Sequence, residues 1–341
     1  MKTRPVRAPG LQSALMTAEF CRPRVSTRRF AGVFKQALKN RCFNWIATLA
    51  LLVVATGWAN ARPNVLFVVL DDLNTWIEPI GEYPDVRTPA MNRLAQSGVT
   101  FTRAQCQAPI CAPSRISFLS GLRPSTTGLY SLNSTLYNHP TYGTGKHKTL
   151  HQFFREAGYV TATAGKVFHT DADLNAISGY LNHRGPGTDY GPTRSPKFTD
   201  PAVSGSNPLV DWGAYPPTDP QTPDYQTVTW ATNRLAEFAT NPATPFLMTI
   251  GIVRPHLPFY APPPYFSLYP PGNFALPFFQ ADDLADTPRF ARYLHWLLPE
   301  PRTQTLIAYN EWTNHTRAYL ASVTFADAMV GRLLDGLAVN N

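Results

Sequence analysis

Cysteine is scarce in this sequence, with four residues among 341. Cys21 and Cys42 lie near the N-terminus, so only Cys106 and Cys111 remain in the body of the chain. Two cysteines are too few for a disulfide framework or for a four-ligand zinc site. They could pair with each other in an oxidising compartment, although so short a loop would need special geometry. The scarcity favours a protein that keeps one cysteine for chemistry.

Charged residues are also few, at 15% of the chain, while 44% of its residues are hydrophobic, as in globular proteins. The formal net charge of +8 is misleading, because residues 1–61 hold three Lys and seven Arg against one Glu. Residues 62–341 are therefore nearly neutral, and we expect no nucleic-acid partner. A body of this length can bury one large core, which favours a single α/β domain.

No apolar run reaches the roughly twenty residues that a membrane-spanning helix needs. The longest, within residues 43–61, follows a basic flank and ends in small residues at Ala59 and Ala61. This pattern predicts that residues 1–61 are a leader with a secretory signal, and that no stable membrane span remains after cleavage. We expect export to the periplasm, the medium or a lysosome, according to the host. An uncleaved anchor and a later translation start at Met16 stay open.

The apolar run over residues 62–70 predicts a strand that is buried on both faces. Asp71 and Asp72 follow it at once. At the carboxyl end of a central parallel strand, these carboxylates would lie where open α/β sheets bind their ligands. The simpler alternative is that they only begin and cap a turn.

Two further strand patterns lead into basic side chains. Residues 159–164 precede Lys166 and His169, and residues 245–253 precede His256 within the run Arg-Pro-His-Leu-Pro-Phe. Each of these side chains, taken alone, would more often be solvated or held in a loop. Placed after buried parallel strands, they are expected at the same sheet edge as Asp71.

Helical patterns separate the strands and cover residues 88–97, a run from about 114, and residues 149–157, 227–240 and 303–337. Residues 88 and 89, Thr-Pro, are expected to cap the first of them. The spacing within 149–157 predicts a buried face formed by Leu150, Phe153, Phe154 and Ala157. A short strand is predicted at 99–103, and the irregular stretches 171–226 and 260–300 are interpreted as loops near the substrate.

The stretch Cys111-Ala-Pro-Ser-Arg115, followed by Ser-x-Leu-x-Gly, resembles the signature of the type I sulfatases. The Asp-Asp strand end, the Gly-Lys-x-x-His and Arg-Pro-His-x-Pro-Phe elements and a C-terminal Tyr-x-Ala-Ser-Val helix also resemble that family. The resemblance covers about residues 62–337 and is closest to the iduronate-2-sulfatase-like branch. The alternative for Cys111 is a small buried residue before a helix.

The resemblance implies an alkaline phosphatase-like α/β fold with a large, mostly parallel central sheet flanked by helices. It implies that Asp71 and Asp72 bind Ca²⁺ or Mg²⁺. It also implies that a formylglycine-generating enzyme oxidises Cys111 to formylglycine, whose hydrate is the nucleophile and a further metal ligand. The substrate would be a sulfated small molecule or glycan.

The remaining family positions imply roles in the hydrolysis of a sulfate monoester. Arg115 would hold the hydrate and support the metal site. Lys166 and His256 would bind the sulfate oxygens, one of them protonating the leaving alcohol, and His169 would orient the hydrate or take its proton.

In the family, the last helix leads into a strand that ends in Asp-His or Asp-Asn, then a further lysine and a smaller C-terminal domain. None has a counterpart here, so residues 62–341 are expected to be an incomplete N-terminal catalytic domain, and its activity as a fragment is open. The alternatives are a phosphonate or phosphate ester hydrolase of the same superfamily, a secreted non-catalytic binder of sulfated glycans, and a truncated product without a function.

Overall fold

The computed structural model of the protein describes residues 62–170, 173, 181–186, 210–291 and 302–340. The predicted leader, residues 1–61, lies outside the described residues, as does most of the stretch 171–226. The strands are β1 Val65–Leu70, β2 Val160–Gly165, β3 His183–Arg184, β4 Trp212–Ala214, β5 Phe246–Ile252 and β6 Phe259–Ala261. The α-helices are α1 Pro89–Gln96, α2 Cys111–Ser120, α3 Pro124–Thr127, α4 Leu150–Glu156, α5 Pro223–Ala239, α6 Pro263–Ser267, α7 Thr303–Ala308 and α8 Trp312–Val339.

Four strands form a parallel sheet in the order β1-β5-β2-β3, and β4 and β6 form a separate parallel pair. This parallel sheet with flanking helices confirms the predicted fold class. β5 is buried along its whole length, whereas β1 is half-buried throughout. The prediction that β1 is buried on both faces was therefore wrong, because in the described part of the chain β1 pairs with β5 alone.

The side chains of β1 alternate between two layers of helices. Leu66 and Val68 pack against the main hydrophobic core, to which α5 and α8 contribute. Phe67 points to the other layer and meets Phe118 of α2 edge-on, with ring centroids 5.6 Å apart. The helices thus cover both faces of the sheet and leave its carboxyl edge to carry the site.

Helix α4 buries a different side from the one that the apolar spacing predicts. His151 is fully buried and its Nε2 lies 2.9 Å from the hydroxyl of Thr249, whereas Phe153 is 63% exposed. The helix also begins with a capping box, in which the Gln152 side chain accepts the N–H of Thr149 at 2.6 Å. The buried face of this short helix is therefore formed by two polar residues, His151 and Gln152, and not by the apolar ones.

Three other boundaries differ from the prediction. Helix α2 begins at Cys111 itself, and α5 begins at Pro223 rather than at 227. The predicted helix 303–337 is two helices, α7 and α8, separated by Asn310 with its left-handed φ of 62°. The predicted strand at 99–103 is absent from the described structure, where this segment is exposed and irregular.

The last helix is the longest element of the fold. Helix α8 packs against α1, α5, α6 and the β4–β6 pair, and it buries most of its central residues. Neither α8 nor any other helix in the described ranges is long and apolar enough to cross a membrane.

Candidate active site

The carboxyl ends of β1, β5 and β2 are joined by backbone hydrogen bonds. The N–H of Asp71 donates to the carbonyl of Ile252 at 3.1 Å, and the N–H of Lys166 donates to the carbonyl of Gly251 at 2.9 Å. Asp71 and Lys166 therefore flank the end of β5 from opposite sides. The close contact between the ends of β5 and β2 requires glycine at position 251, because a Cβ atom there would lie 1.9 Å from the Lys166 carbonyl oxygen.

Asp71 is a buried carboxylate that faces three basic side chains. One of its oxygens lies 2.9 Å from the guanidinium of Arg115. The other forms an ion pair with the ammonium of Lys166 and lies 4.0 Å from Nε2 of His256. Burial disfavours the ionised form, but Arg115, Lys166 and His256 outweigh it and hold the pKa of Asp71 below its usual value. Asp71 is therefore ionised at neutral pH.

Arg115 and Lys166 are almost fully buried, at 3% and 1% exposure. Arg115, in the second turn of α2, also donates to the carbonyls of Lys166 and, at 3.2 Å, Val167. It therefore ties the helix that begins with Cys111 to the end of β2. Arg115 and Lys166 together carry more charge than the one buried carboxylate between them, so this part of the site favours an anionic ligand.

Asp72 follows with a left-handed φ of 57°. Its carboxylate lies 3.6 Å from Nε2 of His256, and the donor atoms of Asp71, Asp72 and His256 all lie within 4.8 Å of one another. Carboxylate oxygens are the ligands that Ca²⁺ and Mg²⁺ prefer, so Asp71 and Asp72 fit part of a divalent cation site. Cys111, which the resemblance also makes a metal ligand after its conversion, is not among these three.

His256 lies in the loop after β5. Its Nδ1 is 2.5 Å from the carbonyl of Leu257, so Nδ1 carries a proton and donates it. The other ring nitrogen, Nε2, faces the two aspartates. The position of this ring thus depends on how the loop leaves β5.

Asp224 holds the start of that loop. Its buried carboxylate accepts the N–H of Val253 at 2.8 Å and the N–H of Arg254 at 3.0 Å. Burial raises the pKa of Asp224, opposed by the charge of Arg254 and by the two amides. Sequence reasoning missed Asp224, because it lay in the stretch taken as irregular. The sequence pattern that could have revealed it is Thr222-Pro-Asp. An N-cap residue followed by proline and an acidic residue is typical of the start of a helix.

Cys111 is the first residue of α2 and is partly buried. Burial raises the pKa of its thiol, and the charges of Asp71 and Asp72 raise it further, against the opposing charge of Lys166. The side chain is therefore a thiol at neutral pH rather than the thiolate that acts as a nucleophile.

His169 lies near the same charged groups. Burial lowers its pKa, and the charge of Lys166 adds to this effect, so its imidazole is neutral at neutral pH. The candidate site residues chosen from the sequence therefore lie around the ends of β1, β2 and β5. The ion pairs join Asp71, Asp72, Arg115, Lys166 and His256, while Cys111 and His169 border this group.

Comparison with known proteins points to one family. The Sulfatase family model matches residues 63–341. A sulfatase from Formosa agariphila is 37% identical over 288 residues, which are 81% of this chain and 55% of that protein. Human iduronate 2-sulfatase is 32% identical over 292 residues, which are 80% of this chain and 51% of that protein. The chain thus spans about half the length of these curated relatives.

The fold also has solved counterparts. The crystal structure of a phosphonate monoester hydrolase from Agrobacterium radiobacter matches with a TM-score of 0.56 at 19% sequence identity. The match covers 82% of this chain and 60% of that one. At this identity the likeness concerns the fold, and it agrees with the parallel sheet described above.

Proposed function

Because this chain belongs to the sulfatase family, we propose that its site serves the hydrolysis of sulfate monoesters. The observation that carries the proposal is the set of buried charges at three strand ends, where Arg115, Lys166 and His256 surround Asp71 beside Cys111. Cleavage of a sulfate ester builds negative charge on the leaving oxygen. The main requirement of the reaction is a set of preorganised positive groups that stabilise this charge in the transition state.

Two groups complete the proposed chemistry. A divalent cation, Ca²⁺ or Mg²⁺, would be held by Asp71 and Asp72 and would polarise the sulfate oxygens when bound. Formylglycine made from Cys111 would supply an oxygen nucleophile as its hydrate, with a formylglycine-generating enzyme as the maturation partner. The raised pKa of the Cys111 thiol supports this reading, because an unmodified cysteine would be a poor nucleophile here.

The chain's own side chains have separate tasks. Arg115 keeps the start of α2 against Asp71 and the end of β2, which fixes residue 111 relative to the sulfate. Lys166 and His256 bind the sulfate oxygens, and one of them donates the proton that the leaving alcohol needs. His169, neutral at neutral pH, orients the nucleophile or accepts its proton.

The proposed substrate is a sulfated sugar, glycan or small molecule. Relatives named iduronate 2-sulfatase and choline-sulfatase support this range, at 32% and 25% identity. A phosphonate or phosphate ester hydrolase is the second candidate, favoured by the likeness to a phosphonate monoester hydrolase fold. Export is part of the proposal and rests on the basic and apolar pattern of residues 1–61.

The test is to co-express the full chain with a formylglycine-generating enzyme. We expect the tryptic peptide that contains position 111 to lose the mass that separates a thiol from an aldehyde. We also expect the purified protein to release sulfate from an aryl sulfate, and Cys111→Ala to abolish the release while leaving the unfolding transition in place.

Paired assays with an aryl sulfate and the matching aryl phosphate separate the two candidates. Faster release of phosphate would favour the second candidate. Complete conversion of Cys111 without hydrolysis of either ester would contradict catalysis by this chain and favour a binding role.

A further inference from the structure

Tyr319 of α8 reaches the loop that carries Asp72. Its hydroxyl accepts the N–H of Asn74 at 3.0 Å and donates to the carbonyl of Asp72 at 3.0 Å. One side-chain oxygen therefore bridges the backbone on both sides of residue 73. The bridge joins parts of the chain that are about 245 positions apart.

The tyrosine ring is itself held in place. Tyr319 is 9% exposed, and its ring meets those of Trp76 and Phe259 edge-on, with centroids 5.6 Å and 5.2 Å away. Trp76 belongs to the segment that follows the bridged loop, and Phe259 belongs to β6. Because packing fixes the ring, the hydroxyl presents its donor and acceptor at a defined position.

The backbone that Tyr319 bridges includes Asp72, whose conformation is unfavourable and must be stabilised by its surroundings. Asp72 has a φ of 57°, a left-handed conformation that is uncommon for residues other than glycine and persists where the surrounding structure determines it. The hydroxyl of Tyr319 binds the carbonyl of this very residue. Its carboxylate, in turn, is one of the three donors grouped within 4.8 Å.

We infer that Tyr319 is a positioning residue for the divalent cation, because it fixes the backbone of Asp72 and thereby the carboxylate that holds the ion. This inference rests on the proposed function. It gives α8, which supplies no reacting group, a direct influence on the metal site. Groups that orient metal ligands typically change metal affinity by about 10- to 100-fold when they are lost.

Tyr269 provides a matched control. It is 2% exposed, and its hydroxyl accepts the N–H of Arg87 at 3.0 Å and lies 2.5 Å from the hydroxyl of Thr324. Tyr269→Phe therefore removes a buried hydroxyl with two partners, as Tyr319→Phe does. Neither partner of Tyr269 belongs to the loop of Asp72.

The experiment compares the full chain, Tyr319→Phe and Tyr269→Phe. Binding of Ca²⁺ is measured by isothermal titration calorimetry after treatment with EDTA. Hydrogen exchange of the peptide that spans residues 71–77 is followed by mass spectrometry in the absence of metal. We expect Tyr319→Phe to weaken Ca²⁺ binding by about 10-fold or more and to speed exchange at Asn74, while Tyr269→Phe changes neither.

The outcomes separate this inference from the proposed function. Equal Ca²⁺ affinity in the unchanged chain and in Tyr319→Phe would overturn the inference, as would equal losses in both variants. If the unchanged chain binds neither Ca²⁺ nor, in a second titration, Mg²⁺, the proposed metal fails for this chain. The inference about the cation then fails with it, whereas metal binding in the unchanged chain with unchanged exchange at Asn74 in Tyr319→Phe would overturn the inference alone.

Discussion

Asp327, in the middle of α8, accepts the N–H of Met91 at 2.7 Å and so caps the first turn of a different helix, α1. Its second carboxylate oxygen accepts the N–H of Ala90 at 3.0 Å. Thr88 was predicted to cap α1, but its hydroxyl accepts the N–H of Glu78 at 2.8 Å instead. The start of α1 thus depends on a residue that lies far away in the sequence.

The first prediction concerns this cap. Asp327→Asn keeps one acceptor oxygen and places an amide donor against the second N–H, so we expect a loss of about 1–2 kcal/mol in the free energy of unfolding. Urea unfolding measures it. Asp335→Asn is the control, because Asp335 pairs with Arg93 at the surface and an exposed pair contributes little. Equal losses in both variants would refute the capping role.

The second prediction concerns the loop of His256. In Asp224→Asn, one of the two backbone N–H groups after β5 loses its acceptor, so we expect faster hydrogen exchange at residues 253 and 254. We also expect a lower kcat for sulfate release, because the imidazole is less well placed. Asp219→Asn is the control, since Asp219 accepts the hydroxyl of Tyr265 at 2.7 Å in the neighbouring turn. A kcat that falls equally in both variants would contradict this role of Asp224.

The third prediction concerns pH. Burial lowers the pKa of His151 to about 4, below its ordinary value of 6.5. Between these values the unfolded chain takes up a proton that the folded chain does not, so His151 stabilises the fold above pH 6.5 and this contribution falls as the pH drops towards 4. The destabilisation caused by His151→Gln should therefore shrink by about 2 kcal/mol from neutral pH to about pH 5. A pH-independent difference in urea unfolding would contradict it.

The fourth prediction concerns the contact between strand ends. In Gly251→Ala the new Cβ would lie 1.9 Å from the carbonyl oxygen of Lys166, so the ends of β2 and β5 must separate. We expect a loss of about 3 kcal/mol or more in the free energy of unfolding, or failure to fold. Gly213→Ala is the control, because nothing lies within 4 Å of the Cβ added there. Equal stability of the two variants would contradict the close approach.

The strands and their carboxyl ends could be predicted from the sequence because the information is local. An apolar run such as residues 245–253 marks a buried strand, and parallel strands bring their ends to one edge. Asp71, Lys166 and His256 were found by this reasoning, and the ion pairs bring them together. The family signature added Cys111 and Arg115, which no periodicity would have singled out.

The remaining features depend on contacts between distant segments. Nothing near Tyr319 in the sequence indicates that its hydroxyl binds the backbone at Asp72. In α4, Phe153 is exposed while His151 is buried and hydrogen-bonded to Thr249 of a distant strand. Short elements with mixed patterns are therefore oriented by partners that local periodicity does not reveal.

Tyr319 and Asp327 are eight residues apart in α8. At a rise of 1.5 Å per residue, this helix sets a fixed spacing of about 12 Å between the two segments that they hold. Helix α8 thus fixes the distance between the turn after β1 and the start of α1. A substitution that kinks the helix between Tyr319 and Asp327, such as a proline, would displace both segments. It would therefore impair turnover although it lies far from the substrate.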